Sequence, residues 1–498
     1  RPVTLNFLFR HAKTAPLETA NKARSMALNT LRQMARGGMY DHLGGGFHRY
    51  SVDRFWHVPH FEKMLYDQAQ LACSYLEAYQ ITGEPFYADV AHGILQYVQR
   101  DMTGPEGAFY SAEDADSLPT RHAQEKSEGA FYVWTAGEID RLLSPDDALV
   151  FKKYYGVTRD GNCPQESDPH GELAGKNVLI VRYPDLSALA DELNRPVTEV
   201  EESLNRSKAL LYQHRSQRPR PHCDDKILTA WNGLMISAFA RAAWILPGHR
   251  ENYLASAQKA ADFVLRELCS DDYVLLRCYR NGPGSTRGFC DDYAFFIQGL
   301  LDLYEATGSI HYLETAQELQ DTQDRLFLDS KNGGYYSTER DAPNLILRVK
   351  DDYDGAEPSA NSVALFNLLR LARFLQHDHY RIQAEKALGA FTTQLARIPN
   401  AVPQMLAALD LALAEPSQII LLGRNAEALQ EVVYRSFQPH LTILPIQDEA
   451  QKEWLGALHP IIRNLPDPGD IPAAYLCRGL ACLPPVHTPE ALAELLSA

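Results

Sequence analysis

Four stretches of this chain share one layout, and that repetition limits the fold more than any other feature. "LYDQAQLACSYLEAYQITGEPFYADVA" begins at Leu65 and "AWNGLMISAFARAAWILPGHRENYLASA" at Ala230. "CDDYAFFIQGLLDLYEATGSIHYLETA" begins at Cys290 and "SANSVALFNLLRLARFLQHDHYRIQA" at Ser359. Each opens near a polar residue, Asp67, Asn232, Asp292 or Asn361. Each then runs on in helix-compatible residues, breaks, and restarts with Tyr-x-x-x-Ala at Tyr87, Tyr253, Tyr312 or Tyr380. Self-similarity of this kind marks repeated helical hairpins. The first helix of each unit is apolar nearly all round, as in "AFFIQGLLDL", and the second has one apolar stripe, as in "YLETAQELQDTQDRL". A helix apolar on every side belongs inside, and a one-sided helix belongs outside.

Further helices fit at about 22–36, twice between 136 and 214, and at about 401–415, so the count nears twelve helices in six hairpins. The pattern predicts a mainly α fold, an (α/α)6 barrel over 22–415 with an insertion around 107–215. An open helical solenoid carries the same repeat but gathers no single pocket. Residues 1–21 read as a leader or as the remnant of an upstream domain. After Pro416, "SQIILLG", "NAEALQEVVYRSF" and "HLTILPI" read strand, helix, strand, which predicts a small C-terminal α/β region over 416–498. "GAFYVWT" at 129–135 alternates like a short strand covering the rim.

In such a ring the inner helices run parallel, and their N-termini open on one rim with unpaired N–H groups. N-capping alone accounts for the four polar openers. It does not account for the longer polar strings before them: 44–67, 218–233, 288–295 and 349–362, with "GAFYSAEDADS" at 107–117. Rings, carboxylates and His at the mouth of a barrel suit a sugar. Aromatic faces stack on a pyranose, and paired carboxyls supply acid and base. The candidate catalytic residues are Asp67, Asp225, Asp292 and Asp352, with His60 and His222 for proton transfer. The candidate substrate-binding residues are Arg49, Trp56, Tyr66, Glu113, Asp114, Trp231, Asn232, Tyr293, Glu357 and Asn361. Lys63 and Lys226 either hold an anionic substituent or pair with rim carboxylates, and the pairing is favoured.

The net charge of -16 argues against a nucleic-acid backbone or an anionic membrane as partner. No apolar run reaches the roughly 18 residues of a membrane helix. The expected ligand is therefore a small molecule or an oligosaccharide, and nothing in the sequence names a protein partner. His57, His60 and Glu62, or His222 with Asp224 and Asp225, are the only groupings with metal chemistry, and Pro59 breaks the first. With no H-E-x-x-H and no G-x-G-x-x-G after the strand ending at Gly423, neither metal nor cofactor is expected. Eight scattered Cys suggest a reducing compartment, cytoplasmic or mitochondrial. Cys477 and Cys482 read as two partly buried thiols, with a disulfide or half a metal site as the alternatives. The start at Arg1 suggests a truncated N-terminus.

"GGMYDHLGGGFHRYSVDRFWHVPHFEKMLYDQAQL", "FYSAEDADS", "EGAFYVWT", "RPRPHCDDKILTAWNGLMIS", "GFCDDYAF" and "KDDYDGAEPSANS" closely resemble the spermatogenesis-associated, thioredoxin-domain-containing family, whose bacterial members are called YyaL-like. The resemblance runs from about Leu31 to the C-terminus. It implies an N-terminal thioredoxin-like domain followed by a barrel of the six-hairpin glycosidase type, a superfamily that also holds sugar epimerases. The thioredoxin-like part, with its Cys-x-x-Cys-type site, is absent from this sequence, so redox activity is not carried over. The epimerase branch implies His on late inner helices, and "NAVPQMLAALDLAL" has none, which favours hydrolysis. Two readings follow: a carbohydrate-active enzyme, or a non-catalytic glycan- or protein-binding barrel coupled to the redox domain.

Overall fold

Six helices touch one another in a closed circuit: Pro2–Thr14, Leu65–Thr82, Thr229–Ile245, Cys290–Thr307, Ala360–Leu375 and Pro403–Leu413, the last returning to the first. Outside them lie Leu17–Arg36, Pro85–Asp101, Arg250–Glu267, Ile310–Phe327 and Asp378–Ala390, each packed on the inner helix before it. This is a mainly helical chain closed into an (α/α)6 barrel, as the repeat predicted. The computed structural model describes residues 1–498 except 169–170, 343–344, 468, 480 and 498. The expected 159–177 loop therefore lies partly outside the described residues.

Burial follows the sequence pattern. Phe295, Phe296, Leu300, Leu301 and Tyr304 point in several directions from one inner helix, and all are buried. Close approach needs glycine at one crossing. A Cβ on Gly233 would meet the Phe295 backbone at 2.4 Å, and one on Gly299 would meet the Gly233 carbonyl at 2.6 Å. Those two glycines let the Thr229–Ile245 and Cys290–Thr307 helices pack backbone to backbone.

The N-terminal stretch departs from expectation. Residues 1–21 are not a leader lying apart from the ring. Pro2–Thr14 is an inner wall that buries Leu5, Phe9 and Ala12 and contacts both the Leu65–Thr82 and Pro403–Leu413 helices. Among the described residues of 136–215 there are four α-helices, not two, and they pack around their own core of Trp134, Ile139, Phe151 and Leu211. The sixth inner helix thus comes from the start of the chain. Residues 129–135 form no strand. Gly129 turns the backbone at φ +70°, and Arg218 takes the carbonyls of Phe131 and Val133 at 2.8 and 2.9 Å.

The C-terminal region holds the expected strand, helix, strand. Ser417–Leu422 pairs in parallel with Leu441–Ile446 across the helix Glu427–Arg435, and antiparallel with Ala473–Arg478. It closes the floor of the barrel. Gln430 donates to the Glu305 carbonyl at 2.9 Å, Gln447 to the Thr307 carbonyl at 3.1 Å, and Arg373 to the His440 carbonyl at 2.8 Å. Carbonyls left open at the ends of inner helices find donors there. Cys477 and Cys482, expected as free thiols, form a disulfide, because the antiparallel register sets them opposite each other with Cα atoms 3.9 Å apart. Among the described residues no helix is long and apolar enough to cross a membrane.

Candidate active site

The rim loops are built on one recurring device. After four outer helices the chain makes a tight loop closed by a bridge: Tyr40 to Phe47, Thr103 to Phe109, Cys269 to Leu275, Leu328 to Tyr335. The first turn of the next inner helix grips the last residue of each loop. Gln68 accepts the Phe47 N–H at 2.8 Å and donates to its carbonyl at 2.7 Å. Asn232 does the same to Phe109 at 2.9 and 3.0 Å, and Asn361 to Tyr335 at 2.7 and 2.9 Å. The Tyr293 hydroxyl accepts the Leu275 N–H at 2.9 Å. Asn232, Tyr293 and Asn361, expected to touch substrate, are instead buried and spend their polar atoms on the loops.

Two of these loops are each also held by a lysine of their own. Lys63 donates to Asp41 at 3.0 Å and to the Gly45 carbonyl at 2.9 Å. Lys350 donates to Asp329 at 2.8 Å and to the Gly333 carbonyl at 2.6 Å. Lys226 pairs with Asp224 at 3.0 Å. The favoured pairing role of Lys63 and Lys226 matches these contacts.

Inside this frame a small cup forms at the mouth. The Tyr66 and Trp231 rings meet edge to face with centroids 4.9 Å apart. The Trp231 indole donates to Glu357 at 2.7 Å. Arg49 pairs with Glu62 at 2.8 Å, and Arg277 pairs with Asp291 at 3.1 Å. Asp67 is buried, and its Oδ2 has no hydrogen-bond partner among the described residues. Burial holds the Asp67 carboxyl well above the usual carboxylate range; Arg49 opposes this, while Glu357 and Glu62 add to it. Burial likewise pushes Glu357 up to about 7, with Asp291 adding and the Trp231 bond, Arg277 and Arg49 opposing. Two carboxyls, one raised well above the carboxylate range and one poised near neutrality, are the raw material of acid/base chemistry.

The other candidates are engaged elsewhere. Asp292 accepts from the backbone of Phe289 and Ala230 at 2.8 and 3.1 Å and from Arg277 at 2.8 Å, so it fastens two helix starts together. Asp225 pairs with Arg280 at 2.6 Å. Asp352 accepts from Gln394 at 2.7 Å, a residue of the short helix Thr392–Arg397 rather than of the inner ring. Glu113 is buried between the Tyr97 hydroxyl at 2.6 Å and Arg220 at 2.8 Å. Asp114 lies 3.6 Å from Lys126. His60 bonds Glu128 at 2.7 Å and stacks on Tyr50. His222 is exposed and touches the rim through its carbonyl, which accepts the Asp114 N–H at 2.8 Å. Trp56 sits at φ +61°, with its carbonyl accepting the Gly38 N–H at 2.8 Å. The fold therefore gathers Asp67, Glu357, Tyr66, Trp231 and Arg49 into one network and leaves His222, Asp225 and Asp352 outside it, while His60, 3.6 Å from Glu62, and Asp292, bonded to Arg277, stand at its edge. Glu62, Arg277 and Asp291 belong to the cup and were not among the sequence candidates. Glu62 and Asp291 lie within two of the polar strings, "HFEKM" and "FCDDY", and Arg277 lies outside them.

Fold and site together define an (α/α)6 barrel protein with a buried acidic cup at the mouth. No family model matches the chain. It is 43% identical over 521 residues to spermatogenesis-associated protein 20 of Homo sapiens, a match covering 99% of this chain and 65% of the human one. It is 37% identical over 511 residues to an uncharacterized protein of Caenorhabditis elegans, covering 99% of this chain and 69% of that protein. The chain belongs to the family of that nematode protein, and it spans 65% of the length of the human relative it matches. Among solved structures it is similar to a family 76 α-mannanase of Bacteroides thetaiotaomicron, with a TM-score of 0.39 and 10% identity over 82% of this chain and 72% of that one. It is also similar to a D-mannose isomerase, with a TM-score of 0.34 and 13% identity over 74% and 86%. These likenesses are distant, and the ring is assigned from its own helix contacts.

Proposed function

We propose that this chain is a carbohydrate-active enzyme, a hydrolase in preference to an epimerase, with Asp67 and Glu357 as its acid/base pair. One observation carries this reading: the buried Asp67 carboxyl has an oxygen with no partner among the described residues, beside an aromatic pair and a second perturbed carboxyl. Such an orphaned group costs stability unless a ligand uses it. In the reaction, protonated Asp67 gives its proton to the glycosidic oxygen as the bond to the anomeric carbon breaks. Ionised Glu357 takes a proton from the water whose oxygen adds to that carbon. The Trp231 N–H orients Glu357 and favours its charged form. The Tyr66 and Trp231 rings offer an apolar wall for a pyranose, and Arg49 a donor for its hydroxyls or acid group. The absence of a His on Pro403–Leu413 favours hydrolysis over epimerisation.

The test is a panel of aryl glycosides and oligosaccharides, assayed with the purified chain and with Asp67→Asn and Glu357→Gln. Turnover lost in both variants with binding retained supports the assignment. A wild-type chain that neither binds nor converts any sugar of the panel ends it.

A second reading, a recognition barrel, is favoured by the apolar rim. Phe55 is 69% exposed, Ile346 and Leu347 are largely exposed, and Tyr50 and Tyr353 are exposed on the polar strings 44–67 and 349–362. Exposed apolar groups in the rim loops suit a protein or glycan partner. In that reading the two variants change binding, and no substrate is turned over.

A further inference from the structure

Charged residues interrupt inner helices that are otherwise apolar. Arg10 stands in "LNFLFRHA", Arg241 in "SAFARAAW", Asp302 and Glu305 in "LLDLYEAT", and Arg370 and Arg373 in "NLLRLARF". The fold turns them all, with Glu77, into the lumen of the ring, where they line a cavity of about 210 Å³. At 1.5 Å rise per residue, Glu77 lies roughly 15 Å below Asp67 on the same helix. The charged layer is thus at the floor and is distinct from the cup.

Four guanidiniums share this space with three carboxylates, and their pairing is uneven. Glu77 takes Arg241 at 2.8 Å and the Asn6 amide at 2.8 Å. Asp302 and Glu305 both take Arg370, at 2.8 and 2.9 Å. Asp302 also accepts the Ser237 hydroxyl, and Glu305 the Ile443 N–H at 3.2 Å. Arg10 and Arg373 are left with carbonyls and make no ion pair among the described residues. Arg10 donates to Pro439 at 2.9 Å and stacks over Phe366 at 4.9 Å. Arg373 donates to His440 at 2.8 Å and Leu411 at 2.7 Å.

A guanidinium carries five N–H donors, so most of those on Arg10 remain free. Two such cations lining one cavity have no directly bonded carboxylate among the described residues, and Glu77 and Asp410 act on Arg10 only from a distance. Burial and the neighbouring Arg10 push Arg373 down to about 10. At the upper end of the same cavity Gln70 is only 7% exposed, and its Oε1 has no partner among the described residues, an acceptor awaiting a donor.

We propose that the lumen floor is an oxyanion-binding site, in which Arg10 and Arg373 take the carboxylate or phosphate of a small hydroxylated molecule whose hydroxyl reaches Gln70. Guanidinium forks match planar and tetrahedral oxyanions alike, so the two sources are separated by experiment.

Thermal melts and calorimetric titrations of the whole chain at fixed ionic strength would use D-glucuronate, D-glucose 6-phosphate and uncharged D-glucose. A ligand of the folded state raises the melting temperature saturably. The expected result is a saturable rise with one or both charged probes and none with glucose. A rise with glucuronate alone assigns a carboxylate, and a rise with the phosphate alone assigns a phosphoryl group. Arg10→Gln is expected to weaken that binding about tenfold or more, the size of a lost charged hydrogen bond. Arg381→Gln, on an exposed outer helix, leaves it unchanged. A probe held in the cup instead would lose affinity in Asp67→Asn and keep it in Arg10→Gln, and that pattern would overturn the floor site while leaving the cup reading intact. Saturable binding of neither charged probe, or an affinity indifferent to Arg10→Gln, overturns the proposal. Should Arg10→Gln fail to fold by circular dichroism, selenate-soaked wild-type crystals decide: an anomalous peak between Arg10 and Arg373 supports the site, and its absence there rejects it.

Discussion

Trp231 donates its indole N–H to Glu357 at 2.7 Å across 126 residues of sequence, so the state of a loop carboxyl at the mouth depends on a ring from the inner helix Thr229–Ile245. A hydrogen bond to the ionised form lowers a carboxyl pKa, and this bond opposes the burial that raises Glu357 to about 7. Trp231→Phe keeps an aromatic wall and removes the donor. Its expected effect is an upward shift of the acidic limb of kcat/KM, by about one pH unit, with activity partly recovered at higher pH. A pH profile whose acidic limb does not move removes Glu357 as the group that must be ionised.

Asp67→Asn and Glu357→Gln are each expected to lower turnover about 100- to 10,000-fold, the usual reach of a positioned acid or base. Sugar binding, followed by tryptophan fluorescence of Trp231, is expected to persist in both. Loss of binding and turnover together would point to a recognition role instead.

The same carboxyls shape stability against pH. A carboxyl whose folded pKa is raised binds its proton more tightly in the native state, so stability is full below the unfolded value and declines as pH rises through the folded one. For Glu357 that window runs from about 4.3, the ordinary Glu value, to about 7. Glu357→Gln is expected to leave stability nearly unchanged at pH 4 and to raise it by roughly 1–3 kcal/mol at pH 8. Urea melts at the two pH values measure this, and an equal change at both would contradict the assigned shift.

Lys63 and Lys350 make the same pair of bonds in different surroundings. Lys63 is 1% exposed in its side chain, and its partner Asp41 also holds Arg215 through two bonds of 2.7 and 2.8 Å. Lys350 is 20% exposed. Lys63→Met is therefore expected to cost about 3–5 kcal/mol, the scale of breaking a buried ion network. Lys350→Met is expected to cost about 1–2 kcal/mol. Chemical denaturation of the two variants gives the comparison, and equal losses would show that burial does not set the cost.

Much of the ring was legible because its signal is local. Apolar residues on every side of "AFFIQGLLDL" and the recurring Tyr-x-x-x-Ala identify inner and outer helices without reference to partners. Pro2–Thr14 was harder to place: Asn6 and Arg10 break its apolar run, and only the lumen gives those polar groups neighbours. The cup was legible as a collection of residue types. Which members were free was not, since Asn232 and Phe109 are 123 residues apart, and Glu113 meets Arg220 across 107.

By itself the sequence determined the helical repeat, the parallel inner helices and the concentration of acids and rings on one rim, because each rests on spacing within a few turns. Only the tertiary structure decided which carboxyl is left without a partner. A side chain such as Asp292 becomes a helix fastener, and one such as Asp67 an orphan, according to donors that arrive from remote segments. Those donors, together with the water that burial removes, set the charge state.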